Sequence, residues 1–508
     1  MNGSKPMNVS YSTTPQGERL IDARISLNWN TINWIKVIKS VNRLQTRITK
    51  ATIQRKWHLV KRLQYLLTHS FYAKLLAIRN ICQNKGKRTA GIDGEKWLTP
   101  KAKMNAALSL SDKNYKAKPL RRVYIEKYGK KEKRPLGIPT MYDRAMQALY
   151  ALALNPFAEV TADSASFGFR KYRSAQDACQ QAFICLSKKN SAQWILEGDI
   201  KGCFDNINHQ WLLDNIPMDE SVLKQFLKAG FIYNHHLNPT KAGTPQGGII
   251  SPILANMTLD GIENAIAAKY YPGKSGKKRN PKKVNFLRYA DDFIVTADSE
   301  ETAKEIVELI CSFLKERGLE LSEEKTLITH INIGFDFLGW NFRKYNGKLL
   351  IKPSKKSIEK ITRKISDTIK DGKAWTQEYL IDALNPIITG WSNYHQSVVS
   401  KEIFSKLDYR VWNMLWKWAK RRHSNKSKFW ITNKYWHSEG TRNWVFSTGK
   451  NKLKLFSDTK IVRHTSLKLN KNPYLDKEYF DTRRYSLSMR KMASKPKRMG
   501  LKNDCQFK

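Results

Sequence analysis

Residues 285–296 read Asn285-Phe-Leu-Arg-Tyr-Ala-Asp-Asp-Phe-Ile-Val-Thr296, two acids set inside a run that otherwise favours a β-strand. Burying an acid pair costs several kcal/mol unless something compensates the charge. The run is therefore predicted to form strand–turn–strand, with Asp291 and Asp292 at the tip, where a divalent cation can offset that cost. A third acid, Asp199, ends a second apolar run, Trp194-Ile-Leu-Glu-Gly-Asp-Ile200. Hard oxygen ligands from two adjacent strands suit Mg²⁺, which keeps several waters and takes one or two carboxylates plus substrate phosphates. Two such ions about 4 Å apart would clamp the attacking and leaving oxygens of an in-line phosphoryl transfer. A bare Asp-Asp pair is more often a polar turn, so the surroundings of this one decide its reading.

Outward from these acids, residues 115–345 alternate short β-branched runs (RRVYI, AQWILEGDI) with amphipathic stretches such as DRAMQALYALAL and ETAKEIVELICSFLKERG. Upstream, residues 31–82 carry apolar positions at three- and four-residue spacing and are predicted helical. That register breaks at NKGKRTAGIDG, where Gly86, Gly91 and Gly94 mark a loop. Downstream of 355 the strands give way to helical stretches, SIEKITRKISDTIK and KLDYRVWNMLWKWAKRRHS.

Charge narrows the partner. The 508 residues carry 91 Lys+Arg against 44 Asp+Glu, a formal net charge of +47, and residues 341–508 alone hold 39 against 13. A chain so basic repels itself unless a polyanion neutralises it, and nucleic acid returns binding energy through counterion release. On charge alone a ribosomal or chromatin-type protein fits equally well. With 41% hydrophobic and 11% aromatic residues the chain can build cores, which excludes disorder throughout. No stretch approaches the roughly 18 uncharged apolar residues of a membrane span, and the polar first thirty residues suggest no secretory leader. Six scattered cysteines without a Cys-x-x-Cys pair argue against both a disulfide framework and an ordinary zinc site.

Three motifs then fall in order. Tyr289-Ala-Asp-Asp292 resembles the Tyr-x-Asp-Asp hairpin of reverse transcriptases. Gly198-Asp-Ile-Lys-Gly-Cys-Phe-Asp-Asn-Ile207 resembles their first palm motif, and Gly243-Thr-Pro-Gln-Gly-Gly-Ile-Ile-Ser-Pro252 the motif between. Asn84–Gly94, Arg134-Pro-Leu-Gly-Ile-Pro139, Ser166-Phe-Gly-Phe-Arg170, Gly318–Thr326, Phe335–Trp340 and Asn385–His395 follow the order of group II intron-encoded reverse transcriptase/maturases, particularly the cyanobacterial and chloroplast-like lineage. The likeness runs from about residue 30 to 480. Ala90 and Glu126 stand where that family usually has proline.

The resemblance implies an α+β, right-hand polymerase fold: a βαββαβ palm, fingers, a helical thumb (the maturase domain) and a basic C-terminal DNA-binding region. The expected divisions are a polar tail over 1–30, a helical N-terminal extension over 31–110, fingers and palm over 111–345, thumb over 346–430, and the basic region over 431–508. It also implies RNA-directed DNA synthesis with two Mg²⁺ ions held by Asp199, Asp291, Asp292 and the Ile200 carbonyl. Phe204 would be a steric gate against the ribose 2′-hydroxyl, or else a core phenylalanine. Gln246 would face the incoming nucleotide, and Arg134 and Lys127 its triphosphate, although several lysines between 127 and 133 compete for that role. Lys325 would donate a proton to pyrophosphate, or else form a surface ion pair. Arg170 would contact the template.

Implied partners are the parent group II intron RNA, an RNA template with its DNA primer, target DNA and deoxynucleoside triphosphates, with no membrane. Many relatives continue into a His-Asn-His endonuclease with zinc knuckles. Only Cys505 stands near where such cysteines would begin, so neither endonuclease nor zinc is expected. The expected setting is the bacterial cytoplasm or nucleoid, with an organelle as the other setting. Two rival readings remain at this point: a splicing-only maturase with an idle polymerase site, and a reverse transcriptase domesticated for another role.

Overall fold

The computed structural model describes residues 28–126, 133–271, 280–440 and 442–493, so Lys127 and Cys505 lie outside the described residues. The chain divides into two compact units. One comprises residues up to 163 with 201–261 and 312–320; the other comprises 164–200, 262–311 and 321 onward.

In the first unit the helical register of residues 31–82 forms three helices, Trp34–Ile53, Trp57–His69 and Phe71–Gln83. They pack on a long helix, Met141–Thr161, which Thr140 caps by accepting from the Asp143 N–H. The side chain of Gln45 ties the two layers together by donating to the Leu152 carbonyl at 2.8 Å. Strands Leu120–Glu126 and Lys133–Ile138 pair antiparallel. A short hairpin, Phe231–Tyr233 with His236–Asn238, joins them through one parallel pairing to complete a four-stranded sheet.

The second unit holds the acids. Its principal sheet contains β1 (Trp194–Asp199), β2 (Asn285–Tyr289), β3 (Asp292–Ala297) and β4 (Leu327–His330), in the order β2-β3-β1-β4 with every neighbour antiparallel. Helices lie in the chain between β1 and β2, and the helix Glu300–Lys315 between β3 and β4, which is the βαββαβ order expected of a palm. After Asp292 every residue of β3 is buried, as a central strand covered on both faces must be. Helix α1 (Ala175–Leu186) packs on β2 and opens with a capping box in which Ser174 and Asp177 satisfy each other's backbone N–H groups.

A small three-stranded sheet (335–337, 340–345 and 348–353) adds Phe335, Phe337, Trp340 and Phe342 to the core formed by Ile195, Leu287 and Ile294. Beyond it, helices α2 (Lys355–Asp371), α3 (Gln377–His395) and α4 (Lys401–Arg422) form the expected thumb bundle. The boundary expected at 430 falls inside this bundle's core. Ile431, Tyr435, Trp436, Phe446, Leu453 and Phe456 are buried with Leu384, Leu415 and Trp418. The cause is a hairpin, Trp436–Glu439 with Arg442–Phe446, whose apolar side chains complete the bundle. Further on, Leu467 and Phe480 belong to the palm core, Phe480 on helix α5 (Lys477–Ala493). Among the described residues no helix is long and apolar enough to cross a membrane.

One thumb residue carries a pH prediction. His395 is buried, 3.2 Å from the Ser357 hydroxyl and edge-on to Trp340. Burial pushes its pKa down to about 3. Because this lies below the unfolded value of about 6.5, the neutral ring's contribution is complete above that pH and is lost as pH falls. The loss approaches about 1.4 kcal/mol per pH unit. Urea midpoints measured at pH 7 and pH 5 should fall further for the wild type than for His395→Gln.

Candidate active site

The three aspartates converge through strand register. β1 ends in Asp199, which pairs directly across from Asp292, the first residue of β3. Tyr289 pairs with Asp292, leaving Ala290 and Asp291 as a two-residue turn. Only Ala290 of these two has positive φ, at 59°, the pattern of a type II′ turn, whose first central position favours glycine. Two close contacts hold this strained alanine. Arg288, fully buried, reaches the Ala290 carbonyl at 3.3 Å through its guanidinium. Gly168 lies so close that a Cβ there would stand 2.4 Å from the Ala290 nitrogen.

Like charges directly opposite on a sheet repel. Burial, then the Asp291 and Asp199 carboxylates, push the Asp292 pKa upward, and Lys325 pulls against them. The Lys325 ammonium forms an ion pair with Asp199 and is itself held more strongly protonated by that contact. Lys325 thus stands at the acid cluster in an ion pair with Asp199. Ile200 bridges to Leu321 immediately beyond Asp199, placing its peptide at the same strand end.

Among the described residues no three His, Cys, Asp or Glu side chains stand already grouped to hold a metal ion. The donor chemistry nevertheless fits a hard divalent cation. The three acids offer oxygen only, and three carboxylates stand there beside the single ammonium of Lys325.

The nucleotide-facing candidates lie in the first unit. Phe204 stands half-buried on a short helix, Cys203–Asn206, and its carbonyl accepts the Thr244 N–H at 2.6 Å. Gln246 donates to Asp205 at 3.1 Å, and its carbonyl accepts the Gly137 N–H at 2.7 Å. The glycines of this loop serve chain-to-chain approach. With φ of 81°, Gly243 would place a Cβ 2.5 Å from the Asp205 backbone. Arg134 is exposed at the start of its strand. In the second unit, Arg170 is half-buried and donates to the Ser166 carbonyl at 3.1 Å, so it braces its own loop. Sequence reasoning missed Asp205, Gly168 and Arg288. Of these Arg288 left a signal, an arginine inside an apolar strand.

An antiparallel βαββαβ sheet with acids on its central strands defines a palm of the reverse transcriptase class. The family model for reverse transcriptase (RNA-dependent DNA polymerase) matches residues 125–342, that for the N-terminal domain of reverse transcriptase matches 29–110, and that for the group II intron maturase-specific domain matches 358–436. The chain belongs to the group II intron-encoded reverse transcriptase/maturase family. It is 34% identical over 343 residues to the group II intron-encoded protein LtrA of Lactococcus lactis subsp. cremoris, covering 55% of this chain and 56% of that protein. With protein YkfC of Escherichia coli (strain K12) it shares 31% identity over 299 residues, 52% of this chain and 78% of YkfC. Maturase-like protein 1 of Euglena gracilis is 25% identical over 376 residues, 72% of this chain and 76% of its own length. The chain thus spans little more than half the length of the Lactococcus protein.

Proposed function

We propose that this chain copies an RNA template into DNA and that its basic thumb binds the intron RNA from which it derives. The observation that carries the polymerase reading is the direct cross-strand pairing of Asp199 with Asp292 beside Asp291 at a tight turn. Asp199, Asp291 and Asp292, with the Ile200 carbonyl, would hold two Mg²⁺ ions. Bound there, the ions would supply charge stabilisation to the attacking and leaving oxygens of phosphoryl transfer. Lys325, which pairs with Asp199, would give a proton to the departing pyrophosphate. Arg134 would receive the triphosphate as a planar fork. Gln246, fixed at both ends by Asp205 and Gly137, would present a rigid edge to the incoming nucleotide. Target DNA would engage basic surface of the C-terminal third.

Primer extension on an RNA template with deoxynucleotides and Mg²⁺ tests the reading. Extension by the folded wild-type protein is expected; its absence, with RNA binding intact, would leave a splicing-only maturase. Phe204→Val should raise ribonucleotide use relative to deoxynucleotide about 10²-fold, since the ring is the bulk that would exclude a 2′-hydroxyl, an effect of about 2.7 kcal/mol. Unchanged discrimination would return Phe204 to a packing role.

Helix α2 supports the RNA half of the reading. It buries Ile361, Ile365 and Ile369, and exposes Lys355, Lys360 and Lys364. Changing these three lysines to glutamine should weaken intron RNA binding and flatten its salt dependence. If all three lie on phosphates, the log–log slope should drop by about 2 to 3, from roughly 0.7–0.9 per contact.

A further inference from the structure

The later part of the C-terminal segment, expected to be a basic DNA-binding region, makes buried polar contacts with the palm through His464 and Arg483. Asp177 links the two. One of its oxygens, Oδ2, accepts the Ser174 N–H at 2.8 Å in the capping box of α1. The other, Oδ1, forms an ion pair with the Arg483 guanidinium and stands 2.8 Å from His464 Nε2. Arg483 also donates to the Thr465 carbonyl at 2.8 Å, so one arginine of α5 ties the incoming chain to α1. Both members of the ion pair are more than nine-tenths buried. A second contact lies one turn away, where Tyr172 packs on Phe480 at 5.2 Å and under the Arg484 guanidinium at 5.4 Å.

What these contacts pin is the turn before α1, and that turn leads directly to the acids. Arg173 donates to the carbonyls of Ser164 and Ser166 at 2.7 and 3.0 Å. Residues 165–167 run along β2, with Phe167 N–H donating to the Arg288 carbonyl at 2.8 Å and Arg288 N–H to the Ala165 carbonyl at 3.0 Å. Gly168 then presses on Ala290, the positive-φ residue of the turn that carries Asp291. A strained turn keeps its conformation only where its surroundings over-determine it. Here the surroundings are the 165–174 segment, and the C-terminal segment fastens its far end.

We propose that Arg483, with His464 and Asp177, is a positioning clasp through which the C-terminal segment holds the 165–174 loop against the Ala290-Asp291 turn and so sets the catalytic carboxylates. The proposal rests on the polymerase reading. A wild type without DNA synthesis would defeat that reading, whereas the variants below address the clasp alone.

The test is pre-steady-state primer extension by the full chain, comparing wild type, Arg483→Met, Arg483→Lys and, as a control on the same helix, Glu478→Gln. A positioning role predicts that Arg483→Met lowers the burst rate constant about tenfold, short of the roughly 10²-fold cost of a 1 Å misplacement. Burst amplitude and deoxynucleotide KM should stay within twofold of wild type. Arg483→Lys should recover most of the rate, and Glu478→Gln should match wild type. A lower amplitude at an unchanged rate constant would mean a smaller folded fraction and would overturn the proposal, as would an unchanged burst. Should Arg483→Met fail to fold, Phe480→Leu loosens the same turn through Tyr172 and is expected to give a smaller fall in rate. Amide hydrogen exchange gives a readout independent of activity. Faster exchange is expected in both 165–175 and 286–294, and a rise confined to the first would sever the link to the acids.

Discussion

Asp199→Asn and Asp291→Asn are each expected to lower the rate of DNA synthesis by at least about 10³-fold while leaving RNA binding within a few-fold of wild type. The two carboxylates sit at the ends of adjacent elements, Asp199 closing β1 and Asp291 in the turn before β3. A metal site there contributes several kcal/mol of transition-state charge stabilisation, and each 1.36 kcal/mol is tenfold in rate. Folding should not suffer. Removing an acid from a cluster that already raises the Asp292 pKa relieves repulsion, so the Asp291→Asn midpoint in urea should equal or exceed that of wild type. Active sites commonly trade stability for function in this way. Single-turnover extension, filter binding and urea unfolding on the same preparations check all three expectations. Synthesis persisting in either variant would remove that aspartate from the catalytic set.

Gly168→Ala is expected to be nearly as damaging. The added carbon would meet the Ala290 nitrogen at 2.4 Å and its Cα at 3.0 Å, and backbone cannot swing aside as a side chain can. Forced overpacking of this kind costs about 1–3 kcal/mol. The atoms that must yield belong to the turn carrying Asp291, so synthesis should fall about 10²-fold, the scale of a 1 Å displacement. Gly390→Ala provides the contrast. It lies within α3 with nothing within 4 Å of the new carbon, so it should leave synthesis unchanged and raise stability by up to about 1 kcal/mol. Equal effects from the two substitutions would show that the close approach at Gly168 has no bearing on the turn.

Much of the palm was legible because its signals are local. An acid pair inside Phe-Leu-Arg-Tyr and Phe-Ile-Val implied a strand–turn–strand, and the resemblance carried by the motifs in their order implied the βαββαβ palm. The thumb helices were legible for the same reason, since Ile361, Ile365 and Ile369 recur at helical spacing. What escaped were features made by distant segments. Gln246 meets Asp205 across 41 positions, and no periodicity marks either residue. Asp177 and Arg483 are charged residues in a chain of +47, where one more arginine resembles solvated surface until its burial is seen. The division expected at 430 came with the resemblance, but Trp436 and Phe446 bury themselves with the preceding helices, and packing carries the bundle past it.

The 306 positions separating Asp177 from Arg483 also bear on when this protein becomes competent. Chains leave the ribosome N-terminus first, and contacts far apart in sequence must wait for their later partner. The acids at 199, 291 and 292 are made well before Arg483 emerges. A nascent chain would therefore carry every carboxylate of its site while the turn bearing one of them is still unfastened. Under the proposed function, in which the chain binds the intron RNA from which it derives, that delay would separate in time the reading of the message by the ribosome from its copying into DNA.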